Sequence, residues 1–303
     1  MKPCYLLLDV GGTEIKINAL AGNQWLYSSS RHVPSLASET KLVILEHLQK
    51  LLLKTIEKIE QREDRLQAIG FAFPGPFDYE NGISLMQDFR KYDALYLVNL
   101  RQCVQEWLKN SGRAQVPIIF GNDARCFALG EYHANSSIQK GIYLTLGTGC
   151  GSTFIEHGRV VGHRYGLNAE GMLYDTPFKE GVLDEYLSVN GLRQLAEDKN
   201  YPFENGKKLA KSGLDGDKEA AAIFQAFGQL IGEGISSFTA IFEPEEIVFG
   251  GQLSKSMPLF KETLLQELQP VQPNVRVSED PAKSTLKGLY RIILDQTRGE
   301  EDV

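Results

Sequence analysis

Cysteine is scarce in this sequence and scattered. Cys4, Cys103, Cys126 and Cys150 lie far apart in apolar or turn contexts, and the five histidines are equally dispersed. No Cys-x-x-Cys pair or Cys/His cluster is present, which argues against metal ligation through sulfur and gives a structural zinc no support. The thiols are expected to be reduced and mostly buried. No apolar run approaches the ~20 residues that a membrane helix needs, and the first residues lead directly into a strand pattern rather than a secretory leader. A cytoplasmic protein is therefore expected, with no membrane partner. Internal repeats and low-complexity segments are also lacking. The net charge is −7 and the basic residues form no stripe, which argues against a nucleic-acid surface but is compatible with a local basic phosphate pocket. The Gly-x-x-x-x-Gly-Lys-Ser/Thr pattern of a P-loop is absent.

What is present is a chain of 303 residues, long enough for two ordinary domains, each with its own core. Its organising stretch is CYLLLDVGGTEIKINAL at 4–20. An apolar strand ends at Asp9, turns through Gly11, Gly12 and Thr13, and returns with Ile15, Ile17 and Ala19 on one face. Adjacent glycines leave backbone N–H groups and the Thr13 hydroxyl free to converge on an anion. Asp9 would repel a phosphate, but a carboxylate at a strand end can hold a hydrated Mg²⁺ that the phosphate shares. Lys16 could reach the same oxygens. The same residues also fit a plain tight hairpin with Lys16 as a solvated charge.

Further along, residues 24–33 read as a third strand, and residues 39–60 as a long amphipathic helix with Ile44, Leu48, Leu52 and Ile56 at helical spacing. A buried strand at 68–73 closes at Pro74-Gly75-Pro76, where Gly75 would let a substrate approach the backbone. Residues 83–100 read as a loop running into a helix through Val104 and Trp107. A strand at 116–120 ends in Gly121-Asn122-Asp123-Ala124 ahead of a helix at 125–132. Asp123 could accept a proton from a substrate hydroxyl or simply cap that helix, and Asn122 could both donate to and accept from neighbouring hydroxyls. The strand–turn–strand layout recurs at 142–155, where the turn Gly147-Thr148-Gly149-Cys150-Gly151-Ser152 leads into a strand rather than a helix, unlike a dinucleotide fingerprint. Helices are expected at 183–198, 218–242 and 283–296, and a strand ends in Gly250-Gly251.

DVGGTEIK at 9–16, GFAFPGPFD at 70–78, the Asn-Asp-Ala of 122–124, the glycine turn at 147–151 and VFGG at 248–251 stand in one order. In that order they resemble the ROK family of bacterial sugar kinases and sugar-responsive repressors, within the sugar-kinase and actin superfamily. The resemblance implies an α/β fold of two ribonuclease-H-like, actin-like ATPase lobes with the active cleft between them. The N-terminal lobe would hold 1–121 plus 284–303, and the C-terminal lobe 122–283. It implies ATP and Mg²⁺, with Asp9, Gly11, Gly12, Thr13 and Lys16 forming one phosphate motif and Gly147, Thr148, Gly149 and Gly151 the other. Gly250 and Gly251 would meet the adenosine, Asp123 would be the catalytic base, and Gly75, Asn122 and Glu170 would bind the sugar. The implied reaction is phosphorylation of a hexose or N-acetylhexosamine at the 6-hydroxyl by a homodimer.

The sequence departs from the family at 162–175. With Gly166 aligned, Glu170 takes the place of the sugar-binding glutamate, Leu173 falls where a histidine belongs, and the three closely spaced zinc cysteines are missing. His163 is the only nearby histidine and reads more simply as a loop residue. The competing expectations are a degenerate kinase that binds sugar without turnover, and a sugar sensor or transcriptional regulator. Only eight residues precede Asp9, so a DNA-binding domain is not expected in this chain.

Overall fold

The computed structural model describes residues 1–299 apart from Asn23, Arg90 and Ser136. Residues 300–303, which the sequence assigns to the N-terminal lobe, lie outside them. The chain divides into two compact units, Met1–Gly130 with the segment from Ala282 onward, and Glu131–Pro281. The sequence expectation set the first boundary at 121/122, which falls just before a helix; the division lies within that helix.

In the first unit, β1 (Pro3–Val10) turns into β2 (Glu14–Ala21), followed by β3 (Gln24–Trp25) and β4 (Arg31–Pro34). Then come α1 (Lys41–Gln61), β5 (Arg65–Phe73), the small hairpin β6 (Phe77–Asp78) and β7 (Ile83–Ser84), α2 (Leu100–Asn110), β8 (Ile118–Asn122) and α3 (Asp123–Ala134). The sheet order is β3-β2-β1-β5-β8, with β4 also paired to β2. β1, β5 and β8 are mutually parallel. The continuous apolar run of β1 is that of a strand buried on both faces. Leu6, Leu8 and Val10 enter one core with Ile44, Leu48 and Leu52 of α1, while Leu7, one step out of phase, enters a second core.

The single strand expected at 24–33 is two short strands. Buried Asn18 on β2 explains the break: its amide donates to the Tyr27 carbonyl at 3.1 Å, and its oxygen accepts from the Tyr27 N–H at 3.0 Å. Both backbone groups of Tyr27 are satisfied there by a side chain, so the chain bends where a ladder would continue.

In the second unit, β9 (Lys140–Leu146) turns into β10 (Cys150–Glu156) and β11 (Arg159–Val160). After the small hairpin β12 (Pro177–Phe178) and β13 (Gly181–Val182) come α4 (Leu183–Tyr186), α5 (Val189–Asp198), α6 (Gly206–Leu214) and α7 (Lys218–Phe242). The unit closes with β14 (Glu246–Gly250), α8 (Met257–Glu267) and β15 (Asn274–Val277). The sheet order is β11-β10-β9-β14-β15. The one helix expected at 183–198 is split, because Ser188 caps a new start with its hydroxyl accepting from the Asn190 N–H at 3.2 Å. Ile223, Phe227, Ile231 and Ile235 of α7 line the core.

The last helix, α9 (Pro281–Gly299), belongs to the first unit. Leu286, Leu289 and Ile293 cover the sheet face that holds Leu7, Ala68 and Ile119. It touches α3 backbone to backbone: a Cβ on Gly288 would sit 1.8 Å from the Cys126 carbonyl, and one on Gly130 1.9 Å from that of Ser284. Among the described residues no helix is long and apolar enough to cross a membrane.

Gly288→Ala should therefore force α9 off α3. Overpacking of this kind costs about 1–3 kcal/mol, which outweighs the better helix propensity of alanine and lowers the melting temperature by several degrees. An unchanged calorimetric melting point would show that the two backbones are not in contact.

Candidate functional site

Parallel strands present their carboxyl ends along one edge, where open α/β sheets place ligands. In the first unit Asp9 lies one residue before the end of β1, opposite Ala72 of β5, and Asn122 ends β8 opposite Phe73. Asp123 opens α3 one residue later. The topology thus gathers Asp9, the turn 11–13, Gly75, Asn122 and Asp123 at one sheet edge.

The turn is held from several sides. Gly11 donates its N–H to the Glu14 carbonyl at 2.9 Å, the Tyr92 hydroxyl donates to the Gly11 carbonyl at 2.9 Å, and the Ser35 hydroxyl donates to the Gly12 carbonyl at 2.6 Å. Gly12 and Thr13 are exposed. Lys16, paired with Asp9 across the hairpin, donates to Asp9 Oδ2 at 2.8 Å. Asp9 is buried and Lys16 half-buried. Burial works to lower the Lys16 ammonium, but Asp9 by charge and hydrogen bond, with smaller help from Glu14 and Asp123, makes the net shift upward. Lys16 stays charged.

Asn122 frees Asp123 from the duty of capping. Its Oδ1 accepts from the Arg125 N–H at 3.0 Å, in the N-cap manner, and its amide donates to the Tyr79 hydroxyl at 3.0 Å. One Asn122 amide hydrogen remains for a ligand. Tyr79 in turn donates to the Phe73 carbonyl at 3.0 Å, and a Cβ on Gly75 would lie 3.4 Å from its hydroxyl oxygen. Gly75, Tyr79 and Asn122 therefore converge. Asp123 accepts only from the Ala124 N–H, at 2.8 Å, among the described residues. Burial raises its carboxyl above the usual carboxylate range and the nearby Asp9 carboxylate adds to this, while Lys91, the Ala124 N–H and Lys16 offset part of the rise. A carboxylate with enhanced proton affinity suits a general base.

Tyr79, Lys91 and Tyr92 were not singled out in the sequence, because none belongs to a regular element or a recognised motif. The available signal was two adjacent residues, a lysine and a large aromatic, in a loop without helical or strand periodicity.

In the second unit the glycine turn is shorter than expected. Cys150 pairs with Leu146 and Gly151 with Thr145, so only 147–149 turn and Gly151 lies on β10. The pairing continues because Cys150 donates its N–H to Asp184 Oδ1 at 2.6 Å, and a Cβ on Gly149 would stand 2.7 Å from the same oxygen. Gly149 thus leaves room for a carboxylate that anchors the turn, while Thr148 is exposed. Gly250 pairs with Thr145 on β9. Gly251 has φ +82°, and a Cβ there would come within 2.2 Å of the Leu146 carbonyl. The two segments read as nucleotide motifs therefore meet at the ends of neighbouring parallel strands.

Glu170 is exposed on a turn organised by Asn168, whose oxygen accepts from the Glu170 and Met172 N–H groups at 3.0 and 2.8 Å. Leu173 is buried in the core, its N–H donating to the Ser152 hydroxyl at 2.9 Å. His163 is exposed. All four cysteines are free thiols; Cys4, Cys126 and Cys150 are buried and Cys103 is half-buried. Burial, with Asp184 adding, pushes the Cys150 thiol up to about 12. Among the described residues no group of three or more His, Cys, Asp or Glu is placed to hold a metal ion.

The family model described as "ROK family" matches residues 5–283. The chain is 26% identical over 274 residues to N-acetyl-D-glucosamine kinase of Histophilus somni (strain 129Pt), covering 82% of this chain and 84% of that one. Among solved structures it resembles the ROK hexokinase of Thermus thermophilus, with TM-score 0.73, 24% identity, and coverage of 96% of this chain and 99% of that one. It also resembles a ROK family glucokinase of Streptomyces griseus in complex with glucose and AMPPNP, with TM-score 0.70, 19% identity, and coverage of 95% and 98%.

The raised Asp123 carboxyl makes a stability prediction. Below the ordinary value of 3.8 both folded and unfolded chains hold it protonated and no penalty arises. The penalty for ionising it in the folded state grows as pH rises past that value and is complete above the raised folded value. Asp123→Asn keeps an acceptor for Ala124 and removes the penalty. The variant should melt above the wild type at pH 7, with the gap closing towards about pH 4; an equal or lower melting temperature at pH 7 would refute the assignment.

Proposed function

The chain belongs to the ROK family and has the fold of that family's ATP-dependent sugar kinases, and from that premise we propose that it transfers the γ-phosphoryl group of ATP to the 6-hydroxyl of a hexose or N-acetylhexosamine. The observation that carries this reading is the meeting, within one unit, of a carboxylate of raised proton affinity, Asp123, with an exposed glycine turn backed by Asp9 and Lys16. The relatives leave both sugar classes in play, since one is named for N-acetylglucosamine and another for glucose.

In this reading the sugar hydroxyl gives its proton to Asp123 as its oxygen bonds to the γ-phosphorus. The bond from that phosphorus to the bridging oxygen breaks, and ADP leaves with the electron pair. Gly75, Asn122 and Glu170 orient the sugar. Gly11, Gly12 and Thr13 offer N–H groups and a hydroxyl to the phosphates. Gly147, Thr148, Gly149 and Gly151, with Gly250 and Gly251, serve the rest of the nucleotide. Most of the rate gain in such a reaction comes from positioning and charge stabilisation.

Asp9 suits a hydrated Mg²⁺. Its Oδ2 is engaged by Lys16 while Oδ1 has no hydrogen bond among the described residues, and Mg²⁺ with a nucleotide needs only one or two protein carboxylates. When bound, the ion would neutralise the β- and γ-oxygens.

A second reading, sugar binding without turnover, is favoured by Leu173, which is fully buried and offers a ligand no polar group. A homodimer is also part of the proposal, on the resemblance to the family alone.

Coupled ADP release with Mg-ATP against glucose, mannose, fructose, N-acetylglucosamine and N-acetylmannosamine distinguishes the readings. Sugar-dependent turnover is expected, and Asp123→Asn should lower kcat by ~10²–10⁴ with ATP affinity nearly intact. A folded Asn variant with near-normal turnover would remove Asp123 as base, whereas sugar binding with silence across the panel would favour the second reading. Sedimentation velocity should give a dimer; a monomer would discard that part alone.

A further inference from the structure

We propose that Lys91 is a catalytic residue of this reaction, a cation that holds the oxygens of the transferring phosphoryl group beside the Gly12 turn. The inference rests on the kinase reading and adds a residue that none of the sequence motifs contains.

The backbone at this position is tied to the phosphate turn through the next residue. Tyr92 is fully buried, its N–H donates to the Ala37 carbonyl at 2.6 Å, and its hydroxyl donates to the Gly11 carbonyl at 2.9 Å. Its φ of 58° marks a left-handed kink that such bonds can sustain. The Lys91 stem lies over the turn: a Cβ on Gly12 would be 3.2 Å from Lys91 Cδ and 3.8 Å from its Cβ. Gly12 is thus bare on the side that the lysine stem covers.

The ammonium acts on the base by charge. Among the cations that lower the Asp123 carboxyl, Lys91 acts more strongly than Lys16. Lys16 is already committed to Asp9 at 2.8 Å, whereas Lys91 has no carboxylate partner within ion-pair distance among the described residues. Its three N–H donors make no hydrogen bond among the described residues.

Electrostatics gives this free cation a role. A phosphoryl group entering between the turn and Asp123 meets two carboxylates, Asp9 and Asp123, and spreads negative charge over three equatorial oxygens as it transfers. A point charge on a flexible stem can follow those oxygens between donor and acceptor. The hydroxyl proton goes to Asp123, the new bond joins the sugar oxygen to phosphorus, and the electron pair of the broken bond leaves with ADP.

The test compares wild type, Lys91→Met and Lys91→Arg, using the best sugar of the panel, Mg-ADP and Mg-AMPPNP. The Met variant should lose ~10²–10³ in kcat with the sugar KM changed less than ~3-fold, as expected for charge stabilisation in the transition state. Its affinity for AMPPNP should fall ~10-fold while that for ADP holds, because only AMPPNP carries the γ-phosphoryl group, and Arg should restore part of kcat. A Met variant as active as an active wild type overturns the assignment and leaves the kinase reading intact. A loss that also lowers ADP affinity and melting temperature, with no rescue by Arg, overturns it in favour of a structural role. A wild type silent against every sugar overturns the kinase reading and this inference together.

Discussion

Mutual repulsion between two carboxylates governs the first unit. Asp9 and Asp123 end or follow strands that flank β5 in one parallel sheet, so the topology itself sets two negative charges on one edge. Burial makes Asp123 more costly to ionise, and the nearby Asp9 carboxylate adds to that cost. The surrounding groups answer that problem. Lys16 neutralises Asp9 across a hairpin, Asn122 takes over the capping of α3, and the Ala124 N–H and Lys91 partly offset the burden on Asp123. What remains is a carboxylate that holds protons more tightly than an ordinary aspartate while keeping Oδ2 clear of bonds among the described residues.

The second unit solves a different problem by close backbone approach. Gly251 lies against the Leu146 carbonyl and Gly149 against the Asp184 carboxylate, so two glycines of apparent ligand motifs also have packing duties. Behind them, Glu246 is fully buried yet fully engaged: the Tyr143 hydroxyl donates to one oxygen at 2.9 Å and Arg276 to the other at 3.1 Å. Arg276 also reaches Glu131 at 2.8 Å, and Glu131 accepts from Ser278. Such a network is costly to leave half-made, so it favours one registration of β9, β14 and β15 over slipped alternatives.

The strand–turn–strand pairs were legible because apolar runs broken by glycine leave few other conformations, and α7 because Ile223, Phe227, Ile231 and Ile235 repeat at helical spacing. The break after Trp25 was not legible. It depends on Asn18 meeting Tyr27, a contact between residues that share no periodic pattern. The split at Ser188 was hidden because apolar spacing continues through it, although a serine before Val189 is an ordinary cap. At the site, residues embedded in short motifs could be read locally. Lys91, Tyr92 and Tyr79 could not, since their placement is a property of the folded loop rather than of any neighbour in sequence. Asp184 was likewise missed, and with it the reason why Gly149 must be small.

The contact between α3 and α9 makes the order of synthesis matter. The sheet that bears Asp9 and Asp123 is made before α9, yet one of its faces is covered by Leu286, Leu289 and Ile293 of that helix. The second unit is one uninterrupted segment, Glu131–Pro281, and can complete its core while the first still waits. Until α9 is made, the first unit carries an open apolar face, exposed to chaperones and to wrong partners. A chain that stopped before residue 281 would keep every recognised motif intact and leave helix α3 without the neighbour that seats it.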